Sequence, residues 1–235
     1  TARFVALAWA IGGEVDRDSW SMSAATVNAY YSPKTNQVVI PAAFLQSPYF
    51  DLDDAVSQIF GSIGVIVAHE ITHGFDNNGA NFDADGNWNA WWSNATATEF
   101  STRTQCLMDQ YSSFYIDAED GEQLVPEDGE KTVNENIADN GGLHVAFNAY
   151  KSRETTSSKS GSGSDADDQL FFVSYAQVWC GKMRDETAMN SYLTDVHAMN
   201  EARVNGAAMN SAAFATAFSC SADAPMNPSS KCVLY

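Results

Sequence analysis

Between residues 54 and 73 the apolar side chains Ile59, Ile63, Ile66 and Val67 recur at spacings of three and four. That is the period of a helix with one buried face, and Asp53 or Asp54 is its expected N-cap. Two β-prone runs, 27–31 and 37–40, flank the turn-like Ser32-Pro33-Lys34-Thr35-Asn36 and predict a hairpin. A loop with two prolines, 41–53, separates this hairpin from the helix. Further helices are expected over 96–115, 132–150, 170–181 and 207–219, the third apolar enough to be buried on most sides. The acidic stretch 117–131, punctuated by Gly and Pro, reads as a loop. Residues 152–168, with Thr-Thr-Ser-Ser-Lys-Ser-Gly-Ser-Gly-Ser inside them, read as a flexible surface loop within one domain spanning 1–235. The pattern as a whole predicts a mainly α fold with a small antiparallel β-sheet.

Composition narrows the classes. With 45% hydrophobic residues and six tryptophans in 235 residues, the chain has the material for a full core. Twelve basic against thirty acidic residues give a formal charge of −18, which disfavours nucleic acid and anionic membrane surfaces as partners. No apolar run approaches the ~20 residues that span a bilayer. The apolar opening, 1–11, is too short for that and lacks the basic start of a signal peptide. Four cysteines without a Cys-x-x-Cys pair leave a structural zinc ribbon unsupported. Asn94-Ala95-Thr96 is an N-glycosylation sequon. Asn81-Phe82-Asp83-Ala84-Asp85-Gly86 imitates the start of a calcium loop, but the twelfth position is Trp92 and not the required glutamate. Trp88, Trp91 and Trp92 are read as packing residues, and His144 as structural.

The chemistry concentrates in His69-Glu70-Ile71-Thr72-His73. On a helix His69 and His73 share one face a turn apart, so two imidazoles point at one Zn²⁺; Glu70 beside them is placed to accept a proton from water. The competing reading is a pair of buried, hydrogen-bonded histidines. Catalytic zinc takes a third protein ligand. Glu135 is the candidate, with Asp139 one turn further to accept the free N–H of a ligand histidine; a solvated acidic helix face has the same spacing. Asp195-Val196-His197 adds one more histidine, which alone is more often structural.

Several segments extend the pattern: Val27-Asn28-Ala29-Tyr30-Tyr31-Ser32-Pro33, Val39-Ile40-Pro41-Ala42-Ala43 and Gly74-Phe75-Asp76-Asn77-Asn78-Gly79. They continue with Glu135-Asn136-Ile137-Ala138-Asp139-Asn140-Gly141-Gly142-Leu143, Tyr175-Ala176-Gln177-Val178-Trp179-Cys180, Arg203 and Cys232-Val233-Leu234-Tyr235. In this order, from about Val15 to Tyr235, the chain resembles the neprilysin and endothelin-converting-enzyme family of zinc metallopeptidases. The resemblance implies a thermolysin-like zincin fold with one zinc per chain on His69, His73 and Glu135, and Glu70 as general base. It makes His197 the donor to the oxyanion, oriented by Asp195, and Arg203 the partner of a substrate carbonyl. Asn28 and Ala29 become part of an edge strand that binds substrate backbone. It further implies a Cys106–Cys232 disulfide, with Cys180 and Cys220 bonded to an N-terminal lobe of the same polypeptide. The location implied is extracellular, and the substrates are short peptides cleaved on the amino side of a hydrophobic residue. A catalytically silent relative would have lost Glu70 or a ligand, and an aminopeptidase would need an anchor for the substrate N-terminus.

Overall fold

The computed structural model describes residues 15–156 and 164–235. The opening 1–11 and the middle of the 152–168 loop lie outside the described residues. Strands β1 (Tyr30–Ser32) and β2 (Gln37–Val39) pair antiparallel with Tyr30 opposite Val39. Their turn places Asn36 at φ 49, a left-handed conformation that asparagine tolerates. Asn28 and Ala29 lie just ahead of β1 and not within it.

Helices α1 (Val56–Ile59) and α2 (Val65–Thr72) are joined by a π turn (Phe60–Gly64). The expected cap is corrected. Neither Asp53 nor Asp54 caps this helix; Ala55 is the N-cap residue, and its N–H donates to Gln58 Oε1 at 3.0 Å. A 3-10 turn (His73–Phe75) closes the rod.

The α3 helix (Asn94–Tyr111) starts before the 96–115 expectation because Ser93 Oγ accepts the Thr96 N–H at 3.1 Å, and it ends four residues short at a C-cap on Ser112. The stretch read as an acidic loop holds a second hairpin, β3 (Tyr115–Asp117) with β4 (Gln123–Pro126), so the described strands form two separate two-stranded sheets. Two long helices follow, α4 (Val133–Thr156) and α5 (Asp165–Val178). Both ends of the expected flexible loop are therefore helical, α5 starting where Ser164 Oγ takes the Asp167 N–H. The α6 helix (Asp185–Thr194) had no counterpart in the pattern. The single helix expected over 207–219 is instead α7 (Asn200–Asn210) and α8 (Ala212–Ala217), broken at Ser211, whose Oγ restarts the chain by accepting the Phe214 N–H.

The pairing of α2 with α4 is the centre of the molecule. It depends on Gly141 and Gly142: a Cβ on Gly142 would sit 2.8 Å from the His69 backbone nitrogen, and one on Gly141 2.5 Å from Thr72 Cγ2. At Gly142 the two backbones meet directly, and at Gly141 the α4 backbone lies against the Thr72 side chain. Behind this contact Val65, Leu143, Tyr150, Phe171 and Tyr175 form the main core. A second cluster, with Leu107, Tyr111, Ile137 and Leu234, joins α3, α4 and the tail. There Cys106 and Cys232 are disulfide-bonded, Cα atoms 5.6 Å apart, as the resemblance implies. Among the tryptophans, Trp91 and Trp92 pack edge-on in a chain reaching Phe75 and Phe100, and Trp88, though 71% exposed, packs edge-on against Phe82 at 5.2 Å. His144 faces solvent with the Asn148 amide on its Nε2.

Candidate metal centre

Helix α2 delivers His69 and, at its closing turn, His73 to one face; α4 delivers Glu135 opposite them. The two Nε2 atoms are 3.1 Å apart, and Glu135 Oε2 lies 3.3 Å from that of His69 and 3.4 Å from that of His73. Each outer nitrogen has its own carboxylate: His69 Nδ1 donates to Asp139 Oδ1 and His73 Nδ1 to Asp76 Oδ2, both at 2.8 Å. With the protons on Nδ1, two lone pairs and the buried Glu135 Oε2 face one point. Such a set is satisfied by a cation, and the His, His, carboxylate donors suit zinc. The residues present fit the metal.

Electrostatics carry the same message. Burial alone would lower His73, but the bond from Asp76, then Glu135, pushes it up to about 10. His69 also moves up, its burial outweighed first by Asp139 and then by Glu135. Burial raises Glu135, yet His197, His69 and His73 around it hold it far below the usual carboxylate range. The pocket attracts positive charge, whether protons or metal. Glu70 is buried beside the donors, and burial pushes its carboxyl up, the two ligand histidines and the Tyr31 backbone N–H partly offsetting that.

Arg203 from α7 closes the back of the site. Its Nε donates to Asp139 Oδ2 at 2.7 Å and its Nη2 to Asp139 Oδ1 at 2.8 Å, with the guanidinium 3.8 Å over the Trp179 ring. Asp139, though buried, is kept ionised by Arg203 and sits at about 2. Two of the guanidinium's three nitrogens are thus committed to holding a histidine's partner, a duty the sequence did not suggest, while Arg203 still lines the cleft. His197 stands at the mouth, Nε2 3.1 Å from Glu135 Oε2 and Nδ1 2.6 Å from Asp195 Oδ1. Both ring nitrogens face carboxylates, so the imidazolium form fits, and its pKa is raised against burial by Glu135 first. Asn28 lines the cleft with its Oδ1 on the Ala29 N–H, and Ala29 is buried.

Not every expected residue gathers here. Asn94 is exposed at the start of α3; Cys180 and Cys220 are free thiols, the first exposed. One residue of the site was missed altogether. Asp76 is buried and accepts the Asn78 and Gly79 N–H groups on Oδ1 at 2.7 Å each, while its other oxygen holds His73. An aspartate three residues past a ligand histidine, on the same turn, was the available signal.

Two histidines a turn apart around a buried glutamate, with a third donor from a facing helix, define the metal centre of a glutamate-type zinc metallopeptidase. The family model for peptidase family M13 matches residues 28–234. The chain belongs to that family. It is 45% identical over 225 residues to human neprilysin, covering 94% of this chain and 30% of that protein, and 44% identical over 230 residues to neprilysin-1 of Caenorhabditis elegans, covering 94% and 29%. Among solved structures, the Mycobacterium tuberculosis zinc metalloprotease Zmp1, in complex with inhibitor, superposes with a TM-score of 0.80 at 38% identity, over 90% of this chain and 32% of that one. A Haemonchus galactose-containing glycoprotein complex gives 0.85 at 30% identity, over 97% and 38%. The chain spans about 30% of the length of the curated relatives it matches.

Proposed function

We propose that residues 1–235 are the catalytic portion of a zinc endopeptidase that hydrolyses short peptides on the amino side of hydrophobic residues. The observation that carries this reading is the convergence of His69, His73 and Glu135 on one point beside the buried carboxylate of Glu70. His69, His73 and Glu135 would hold one zinc ion per chain, which when bound would supply a water of pKa lowered toward ~7 and a Lewis acid for a carbonyl. Glu70, its carboxyl already raised, takes the water proton on a carboxylate oxygen and returns it to the leaving amine nitrogen. His197, oriented by Asp195, directs its Nε2–H to the carbonyl oxygen as charge develops there, a donor of a kind worth ~3 kcal/mol of barrier. Arg203 binds a second carbonyl of the peptide and keeps Asp139 charged. Asn28 and Ala29 hold the extended substrate by amide and main-chain bonds. Phe44, Tyr49, Ile66 and Trp179 line the same cleft and favour an apolar side chain next to the scissile bond.

The length of the relatives supports an N-terminal lobe in the same polypeptide, bonded through Cys180 and Cys220. The Cys106–Cys232 bridge favours an extracellular location, with a glycan on the exposed Asn94. The decisive experiment uses the full-length polypeptide. Elemental analysis should find one zinc per chain in both wild type and Glu70→Gln, while the variant no longer cleaves a quenched fluorescent peptide. Hydrolysis by zinc-loaded Glu70→Gln would remove Glu70 from this role, and a metal-free wild type that still cleaves would remove the zinc.

A further inference from the structure

His197 stands on the short connection between α6 and α7, and apart from the Nε2 contact with Glu135 its hydrogen bonds stay within that connection. Asp195 Oδ1 takes both the His197 backbone N–H, at 3.0 Å, and Nδ1–H, so this contact orients the ring only within its own loop. The loop is tied down from elsewhere, by residues that lead into α4. Glu127 is 5% exposed, a buried carboxylate outside the metal centre, and its Oε1 accepts the backbone N–H of Met199 at 2.7 Å. Met199 is the N-cap residue of α7 and has no side-chain oxygen to offer. The remote carboxylate therefore satisfies the N–H that a residue three places into the helix often takes in a capping box, and meets the positive end of the helix dipole. On the other side Lys131 Nζ donates to Tyr192 O near the end of α6 and lies 5.0 Å over the Tyr192 ring.

Both ends of 192–199 are thus held by one short segment, 127–131. That segment is itself stiff: Glu127 N–H donates to Phe114 O at 2.9 Å, Lys131 N–H to Asp128 Oδ1 and Thr132 N–H to Asp128 O, both at 3.0 Å. It then runs directly into the first turn of α4, which carries Glu135.

We propose that Glu127 is a positioning residue for the reaction: by fixing the start of α7 it sets His197 Nε2 against Glu135 and the cleft. This rests on the role given to His197 above. It says why a carboxylate is buried where an apolar side chain would pack without loss of hydration: the backbone N–H beneath it has no other acceptor, and the register of a reacting group depends on it.

The test compares Glu127→Leu, similar in size but without an acceptor, with Glu127→Gln, which keeps one, in the full-length zinc-loaded protein. Loss of the bond should lower kcat about tenfold in Glu127→Leu and leave KM within about twofold, because His197 acts on the transition state, while glutamine restores kcat to within about threefold. Zinc content should not change, and the His197 imidazole resonance, assigned through His197→Ala, should move in Glu127→Leu. In a His197→Ala background the leucine substitution should have no further effect on kcat. Wild-type kcat in Glu127→Leu, an unmoved His197 resonance, or an undiminished loss in the His197→Ala background each overturns the proposal. If His197→Ala itself keeps full kcat, the role of His197 fails, and the resonance alone then decides whether Glu127 positions it. Should Glu127→Leu not fold, Glu127→Asp, whose shorter chain withdraws from Met199, takes its place with the same readouts.

Discussion

Asp76→Ala is the sharpest test of how the metal centre is held. The substitution removes one acceptor from the ring nitrogen of His73, at 2.8 Å, and one shared by two backbone N–H groups, at 2.7 Å each. Loss of a carboxylate that orients a ligand histidine typically weakens metal binding 10–100-fold, or about 1.4–2.7 kcal/mol. Of the two N–H groups left without an acceptor, that of Gly79 is buried and should remove roughly 1–3 kcal/mol of folding stability, while that of exposed Asn78 can turn to water. Asp76→Asn has a single oxygen for these three donors, so it should lose about tenfold in zinc affinity with a smaller fall in stability. Zinc affinity is read by competition with a chromogenic chelator, and stability by thermal unfolding of metal-free and zinc-loaded protein. If Asp76→Ala binds zinc with wild-type affinity while its metal-free form melts lower, Asp76 serves only the turn, and its link to His73 contributes nothing to the metal.

Three further outcomes are expected. Arg203→Ala leaves buried Asp139 without its bidentate partner and should destabilise the fold by ~3–5 kcal/mol, with zinc affinity falling alongside; urea unfolding that matches wild type would refute this. Replacing Cys106 and Cys232 by serine should remove about 5 kcal/mol, the chain-entropy figure for a separation of 126 residues, and a Tm within a degree or so of wild type would show that the bridge does not constrain the unfolded chain. Metal-free protein should lose stability as pH rises. His73 is raised from 6.5 to about 10, so its contribution is complete below the lower value and lost on passing the upper one. Denaturant midpoints of chelator-treated protein measured across that window test this, and a flat profile refutes it.

What the sequence made legible follows from how local each signal is. The His69, Glu70, His73 set and the Glu135, Asp139 pair are written in helical spacing, and both helices form where that spacing demands. The β1–β2 hairpin likewise carries its own turn residues. The β3–β4 hairpin was hidden because its strands are only three and four residues long and largely exposed, with Ile116 the one buried position between them. The break at Ser211 was hidden inside an alanine-rich run whose helical preference continues through it, since only the serine side chain's choice of Phe214 N–H separates α7 from α8. The π turn left no trace either: the three-and-four spacing of Ile59, Ile63 and Ile66 passes through it, and one extra residue per turn is invisible in so short a run. Asp76 and the second duty of Arg203 lie on the other side of the same limit. Each depends on which of many acidic or basic groups the fold brings together, and in a chain with thirty carboxylates the sequence does not choose among them.

The glycine pair at 141 and 142 has a mechanical meaning. Because the α4 backbone rests on the α2 backbone at Gly142 and on the short Thr72 side chain at Gly141, the distance from the two histidines to Glu135 has little compressible layer through which to relax. The metal ligands form one rigid jaw. Across the cleft from them Asn28 and Ala29 stand on a separate support ahead of β1, whereas His197 is tied through 127–131 to the start of α4. Adjustment to substrates of different bulk therefore falls on the Asn28 and Ala29 side, so substitutions that vary substrate preference should accumulate there, while the helix pair tolerates almost none.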